Sequence, residues 1–224
     1  MIYFTYLLNK HFFKKDPVNL DYAISYSSHQ FENFDQDLFD LFLYYFNNID
    51  DKNILDLGAG PGHFCLKFLE YNAKITWFDI SNNYLKIFLS KLNDYNFNSN
   101  RINYKIGYLD DVRGEYDIVF NRICWNYCLN DSNFAKIIYN ITKQGGAAFL
   151  IINNEHFFYN SLKKYNFFKK NTLKILFILN DYFNIKLNHT FISHRKLFRI
   201  FSNFQFTEFK ITYYKNNTLI YFVK

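Results

Sequence analysis

The spacing of apolar residues changes several times along this chain, and each change marks an element. From Val18 through Tyr22, Ile24, Tyr26, Phe31, Phe34, Leu38, Leu41, Phe42 and Tyr45 the spacing is helical, without an internal glycine or proline, and predicts one or two helices. Asn53 to Leu57 is then a short β-leaning apolar run, three glycines follow within five residues, and His63 to Tyr71 returns to helical spacing through Phe64, Leu66, Phe68 and Leu69. The alternation repeats with a strand from Lys74 to an acid at Asp79, a helix over 82–92, a strand from Ile102 to Tyr108 and another from Glu115 to Asn121. A helix over 131–143 meets Gln144-Gly145-Gly146, a C-cap signal, before a fully apolar strand from Ala147 to Ile152. A last helix, Ser193 to Asn203, precedes Phe206 to Tyr214 and Thr218 to Val223, two strands joined by Lys215-Asn216-Asn217 as a hairpin. Strands separated by helices predict an α/β fold whose ligand lies at the carboxyl ends of the strands.

The glycine turn between the first strand and its helix decides which ligand. A dinucleotide fingerprint, G-x-G-x-x-G, would need its last glycine where His63 stands; here the third glycine comes one residue early, at Gly62. Asp56-Leu57-Gly58-Ala59-Gly60-Pro61-Gly62, an acid followed by G-x-G-x-G, resembles motif I of the class I S-adenosylmethionine-dependent methyltransferases. The resemblance extends over residues 50–155 and the terminal hairpin. It implies a seven-stranded doubly wound sheet of order 3-2-1-4-5-7-6 with the last strand antiparallel, helices on both faces, and S-adenosylmethionine as cofactor.

The same resemblance places cofactor contacts on Asp56, Gly58, Ala59, Gly60 and Gly62. About twenty residues on, Asp79 stands where a carboxylate can accept from both ribose hydroxyls, with Ile80 against the adenine. The family usually sets an acid after the third strand to meet the adenine amino group; that position is Tyr108 here, and Asp110 or Asp111 is the substitute. Asn121 ends the fourth strand facing the methyl donor, and Tyr26-Ser27 occupies the place of a Tyr-Asp pair common in small-molecule members. On these grounds residues 1–49 are expected to be a helical lid, 50–155 the cofactor core, 156–193 an acceptor-side insertion and 194–224 the last helix and hairpin of one domain.

Composition narrows the partners. Half of the 224 residues are hydrophobic and 23% aromatic, which suits one packed core and excludes disorder. Cys65, Cys124 and Cys128 form neither a disulfide framework nor a paired zinc pattern, and a reducing cytoplasm is expected. The apolar opening, Met1 to Leu8, lacks the features of a signal peptide, and no run approaches the ~20 apolar residues of a membrane span. A metal is not expected, because a catechol-type site would need an aspartate where Asn121 stands. With Pro17 and Pro61 the only prolines, the Asn-Pro-Pro-Tyr signature of amino-methylating nucleic-acid enzymes is absent. Residues 156–224 hold twelve Lys and Arg against Asp181 and Glu208, whereas residues 1–155 carry a net negative charge. A basic acceptor half predicts an anionic small-molecule or saccharide-linked acceptor with a salt-sensitive KM. An RNA-modifying enzyme and a non-catalytic cofactor-binding module are the alternatives. For a hydroxyl acceptor His156, just after the fifth strand, is the expected general base, with His29 on the lid as the second candidate.

Overall fold

The structure is a computed structural model that describes residues 8, 11–12, 15–95, 97, 99–153, 155–186 and 191–224; the side chains of residues 99 and 155–157 lie outside that description. Residues 1–7, which open the expected lid, lie outside it as well.

Two helices precede the sheet, α1 (Leu20–Glu32) and α2 (Gln36–Phe46). The Asn19 side chain caps α1 by accepting from the backbone N–H groups of Asp21 and Tyr22, and the helix ends at Asn33. The first strand is β1 (Asn53–Leu57), followed by α3 (His63–Glu70), β2 (Lys74–Asp79), α4 (Asn82–Tyr95), β3 (Ile102–Ile106) and β4 (Tyr116–Arg122). Then come α5 (Asp131–Ile141), β5 (Thr142–Asn153), α6 (Glu155–Leu162), α7 (Phe167–Phe183), α8 (His194–Phe201), β6 (Glu208–Tyr214) and β7 (Asn217–Val223).

The strands form one sheet in the order β3-β2-β1-β4-β5-β7-β6. Pairing is parallel from β3 through β5, and β7 is antiparallel to both β5 and β6, so β7 alone runs against the rest. This is the architecture the sequence predicts. Alternate residues of each central strand feed two apolar layers. Ile54, Phe120, Phe149 and Tyr221 meet Phe39, Phe42, Phe64, Phe68 and Phe88 of α2 to α4 on one face. Leu55, Val119, Leu150 and Phe222 meet Phe134, Ile138, Leu197 and Phe201 of α5 and α8 on the other. Burial on both faces is why these strands read as unbroken apolar runs.

One expectation is corrected. Gln144-Gly145-Gly146 is not the C-cap of α5 but lies inside β5, which begins at Thr142. The Thr142 hydroxyl closes α5 by donating to the Ile138 carbonyl, and its own backbone is already extended. Gly146 serves a close approach instead, since a Cβ on it would lie 2.8 Å from the Asp117 carbonyl oxygen of the neighbouring strand, while Gly145 has a φ of +73° and no atom within 4 Å of such a Cβ. The third strand is also shorter than expected, ending at Ile106, and the Gly107 N–H makes its last bond to β2, at the Asp79 carbonyl.

Candidate active site

The turn from Gly58 to Gly62 leaves the carboxyl end of β1 and is shaped by the end of β2. The N–H groups of Gly58 and Ala59 both donate to the Phe78 carbonyl, at 2.8 and 3.1 Å. Gly60 donates its N–H to Asp79 Oδ2 at 2.9 Å and accepts from Trp77 Nε1 at 2.9 Å. All three glycines have positive φ, the region that a side chain disfavours. A Cβ on Gly58 would sit 2.5 Å from Cys124 Sγ and one on Gly62 2.3 Å from the Phe88 ring, whereas one on Gly60 would meet only Tyr26 Cε1, at 4.0 Å. Gly58 and Gly62 therefore fit the protein's own packing, and Gly60 borders open space.

Cys124 reaches Gly58 because Ile123 turns the chain sharply. Ile123 has φ of +59°, an outlier for a β-branched residue, and its N–H donates to the Ile151 carbonyl at 2.7 Å. The Cys124 thiol donates to the Gly58 carbonyl at 3.4 Å, and burial holds its pKa far above the ordinary value, so it is no thiolate nucleophile.

Two carboxylates lie beneath the turn, both buried. Asp56 accepts from Cys65 Sγ at 3.2 Å; burial raises its pKa to about 7, with Asp79 adding and Cys65 opposing. Asp79 Oδ1 accepts from the Ser81 N–H, and burial pushes its pKa up to about 6 against the N–H groups of Gly60, Ser81 and Ile80. Asp79 does not cap α4. Ser81 does, its Oγ accepting from the Tyr84 N–H, while Asp16 reaches across to accept from Ser81 Oγ and the Asn83 N–H.

Asn121, fully buried at the end of β4, donates Nδ2 to the Leu57 carbonyl at 2.6 Å, and its Oδ1 has no partner among the described residues. Tyr26 stacks on Tyr22 and lies against Tyr84, at ring separations of 5.8 and 5.9 Å, over the Gly60 side of the turn. Burial raises its pKa to about 12, so its phenol keeps its proton. Ile80 is half-buried at the end of β2. Asp110 faces elsewhere: its Oδ2 accepts from the Leu129 N–H at 3.0 Å, ahead of α5. His29 is exposed on α1, and its neighbour Gln30 is the residue that touches the strand ends. The backbone of His156 lies in the first turn of α6, three residues past the carboxyl end of β5; its side chain is outside the described part of the structure.

Sequence reasoning missed Arg122. It follows Asn121 and donates Nη1 to Gln30 Oε1 at 3.1 Å, with its guanidinium 5.5 Å from the centre of the Phe64 ring. Its Nε is buried and has no partner among the described residues. Nothing local signals this, since the contact with Gln30 spans 92 residues. His63, beside it among Phe31, Phe34 and Phe64, is held neutral, its pKa pulled down to about 3 by burial and by Arg122.

The sequence matches a family described as the methyltransferase domain over residues 26–209. The chain belongs to that family. The methyltransferase fold also recurs in solved structures. A Methanococcus maripaludis protein crystallised as a candidate S-adenosyl-L-methionine-dependent methyltransferase is 17% identical, with a TM-score of 0.66 over 94% of this chain and 95% of that one. A SAM-dependent methyltransferase from Aquifex aeolicus is 11% identical, with a TM-score of 0.60 over 92% and 98%. An O-methyltransferase family protein from Burkholderia thailandensis is 15% identical, with a TM-score of 0.62 over 91% of this chain and 59% of that one. None of the curated proteins matches the sequence.

The cofactor of this methyltransferase is S-adenosylmethionine, and the residues around the turn fit it. Gly60 leaves room for a ligand where a side chain would intrude, Asn121 Oδ1 has no donor among the described residues, and the two Asp79 oxygens retain lone-pair capacity beyond the N–H groups of Gly60, Ser81 and Ile80. The raised carboxyl groups have a measurable consequence. A folded-state pKa above the unfolded value of 3.8 means that Asp56 and Asp79 favour the native state most when protonated, below about pH 4, and lose that contribution as pH rises through about 6 and 7. The cofactor-free protein should therefore melt at a lower temperature near pH 8 than near pH 5, by up to ~1.4 kcal/mol per pH unit and group in stability. Scanning calorimetry of Asp56→Asn should show a flatter profile; an unchanged slope in that variant would refute the assignment to Asp56.

Proposed function

We propose that this methyltransferase acts on a small-molecule or saccharide-linked acceptor that carries negative charge. Arg122 is the observation that supports this. A buried guanidinium N–H without a partner among the described residues is costly, and an anion at the strand ends would complete it. The Lys and Arg surplus of the C-terminal half supports the reading less than the sequence suggested: Lys186 and Lys196 pair with buried Asp131, Lys210 with Glu208, and Lys215 with Asp35.

The bound cofactor supplies an activated methyl group on a sulfonium centre. Within this proposal Asp79 accepts from the ribose hydroxyls, and Ile80 packs on the adenine. Asp56, Asn121 and the backbone of Gly58, Ala59, Gly60 and Gly62 hold the methionine portion, with Tyr26 covering it from the lid of residues 1–49. Asp110, which faces the Leu129 N–H ahead of α5, is given no cofactor contact in this proposal. The insertion of residues 156–193 borders the acceptor. His156 takes the acceptor proton as general base, and exposed His29 is the second candidate. Arg122 orients the acceptor's anion so that its nucleophilic atom meets the methyl group in line, where positioning contributes most of the rate.

The test is methyl incorporation from labelled cofactor into cell extract, fractionated by anion exchange with and without ribonuclease. Label should enter a ribonuclease-resistant anionic fraction. For that acceptor Arg122→Leu should raise KM by ~10- to 100-fold with cofactor affinity kept. His156→Ala should lower kcat by ~10²–10⁴ and remove the acidic limb of its pH profile. Label in RNA would favour the nucleic-acid alternative, and a rise in cofactor Kd alone in Arg122→Leu would assign that cation to the cofactor and overturn its acceptor role.

A further inference from the structure

Helix α7 is held to the protein by one side and is apolar on the other. On the held side Phe177 stacks on Phe158 of α6 at 4.8 Å, Asn180 is fully buried against Asp131 and Lys196, and Asp181 accepts from Ser193. The opposite side presents Phe167, Phe168, Ile175, Ile178, Tyr182 and Phe183 to solvent, with Phe168 at 82% and Phe167 at 73% exposure. Phe168, Ile175, Ile178 and Tyr182 follow at spacings of seven, three and four residues, which puts them on one helical face, with Phe167 and Phe183 at its two margins. A helix already packed on one side does not need a second apolar face for its own fold; such a face needs a partner.

The surrounding charge indicates what kind. Lys163, Lys164, Lys169, Lys170 and Lys174 lie on or next to this helix, all exposed or half-buried, and among the described residues no carboxylate is within ion-pair distance of any of them. Tyr159, Tyr165 and Tyr182 are exposed beside them, and Lys169 Nζ sits 4.2 Å from the centre of the Tyr165 ring. A second copy docked face to face would bring the two lysine groups together. Phenylalanine and isoleucine flanked by lysine and tyrosine is instead the composition of a helix lying in a lipid interface, where the lysine stems bury and their heads stay among anionic headgroups.

We propose that α7 docks this protein on an anionic phospholipid surface, lying along the interface without crossing it. Among the described residues no helix is long and apolar enough to span a membrane, which agrees with a surface mode. The cofactor site, at the ends of β1, β2 and β4, would stay on the protein above the lipid.

The experiment uses the full chain and vesicles of phosphatidylcholine with or without phosphatidylglycerol. Sedimentation should show binding that grows with phosphatidylglycerol and weakens with added salt. Phe168→Asp with Ile175→Asp, and separately Lys169→Glu with Lys170→Glu, should each weaken it by roughly tenfold or more, with the melting temperature unchanged because all four side chains are outside the core. A Phe168→Trp variant should shift its indole emission to shorter wavelength on the anionic vesicles. Equal binding to both vesicle types, no binding, or no emission shift would overturn the proposal, as would a concentration-dependent dimer abolished by Phe168→Asp.

Discussion

Asp131→Ala should destabilise the protein by about 3–5 kcal/mol, because it strands two buried ammonium groups at once. Asp131 is fully buried at the first position of α5. Its Oδ1 accepts from Trp125 Nε1 at 2.9 Å and Lys186 Nζ at 2.9 Å, and its Oδ2 from Lys196 Nζ at 2.7 Å and Asn180 Nδ2 at 3.0 Å. Burial alone would raise its pKa, but Lys186 and Lys196 outweigh that and hold it at about 2. A depressed folded-state pKa means that the carboxylate contributes fully above about pH 4 and loses its contribution as pH falls toward 2. This is opposite in sign to Asp56 and Asp79 and occupies a separate window, so a pH series of melting curves separates the two groups. Denaturant unfolding of Asp131→Ala near neutral pH measures the cost directly; a loss under about 1 kcal/mol would mean that water reaches the lysines. Because the network joins the approach to α5 with α7 and α8, the same variant should loosen α7 first, detectable as faster amide exchange there.

What was legible in the sequence was local. The strand-glycine-helix turn, the acid at the end of β2 and the hairpin are each signalled within about ten residues of the feature they produce, and the fold follows from their order. Long-range contacts carried no such signal. Asp16 helps cap α4 from 65 residues away, Gln30 meets Arg122 across 92, and Lys196 reaches Asp131 across 65. The C-terminal lysines illustrate the cost of counting without coordinates. Two of them, Lys186 and Lys196, are internal counterions of Asp131, and five others gather beside an exposed apolar helix face. Gly146 misled for a related reason: a glycine that ends a helix and one that lets two strands approach look alike in sequence, and only the Asp117 carbonyl distinguishes them.

The glycine turn itself offers the other large effect, since its members should fail in different ways. Gly62→Ala puts a Cβ 2.3 Å from the Phe88 ring at a φ of +78°. Phe88 is fully buried and stacked on Trp77 at 6.1 Å, so the ring has nowhere to go. Overpacking of about 1–3 kcal/mol adds to about 1–2 kcal/mol for the left-handed backbone, and the variant should lose about 2–5 kcal/mol of stability. Gly60→Ala has a φ of +53° and no atom nearer than 4.0 Å, so only the backbone cost of about 1–2 kcal/mol applies to the fold. Its Cβ would instead enter the open space beside the turn, where the cofactor is proposed to lie, and titration calorimetry should show S-adenosylmethionine affinity reduced by at least ~10-fold in a protein that still melts cooperatively. Trimming the obstructing ring, in Gly62→Ala with Phe88→Leu, should recover part of the lost stability, because the two substitutions share one contact and cannot be additive. Strict additivity in that double variant would show that the backbone, not the Phe88 ring, requires glycine at position 62, and full cofactor affinity in Gly60→Ala would remove the turn from the binding site.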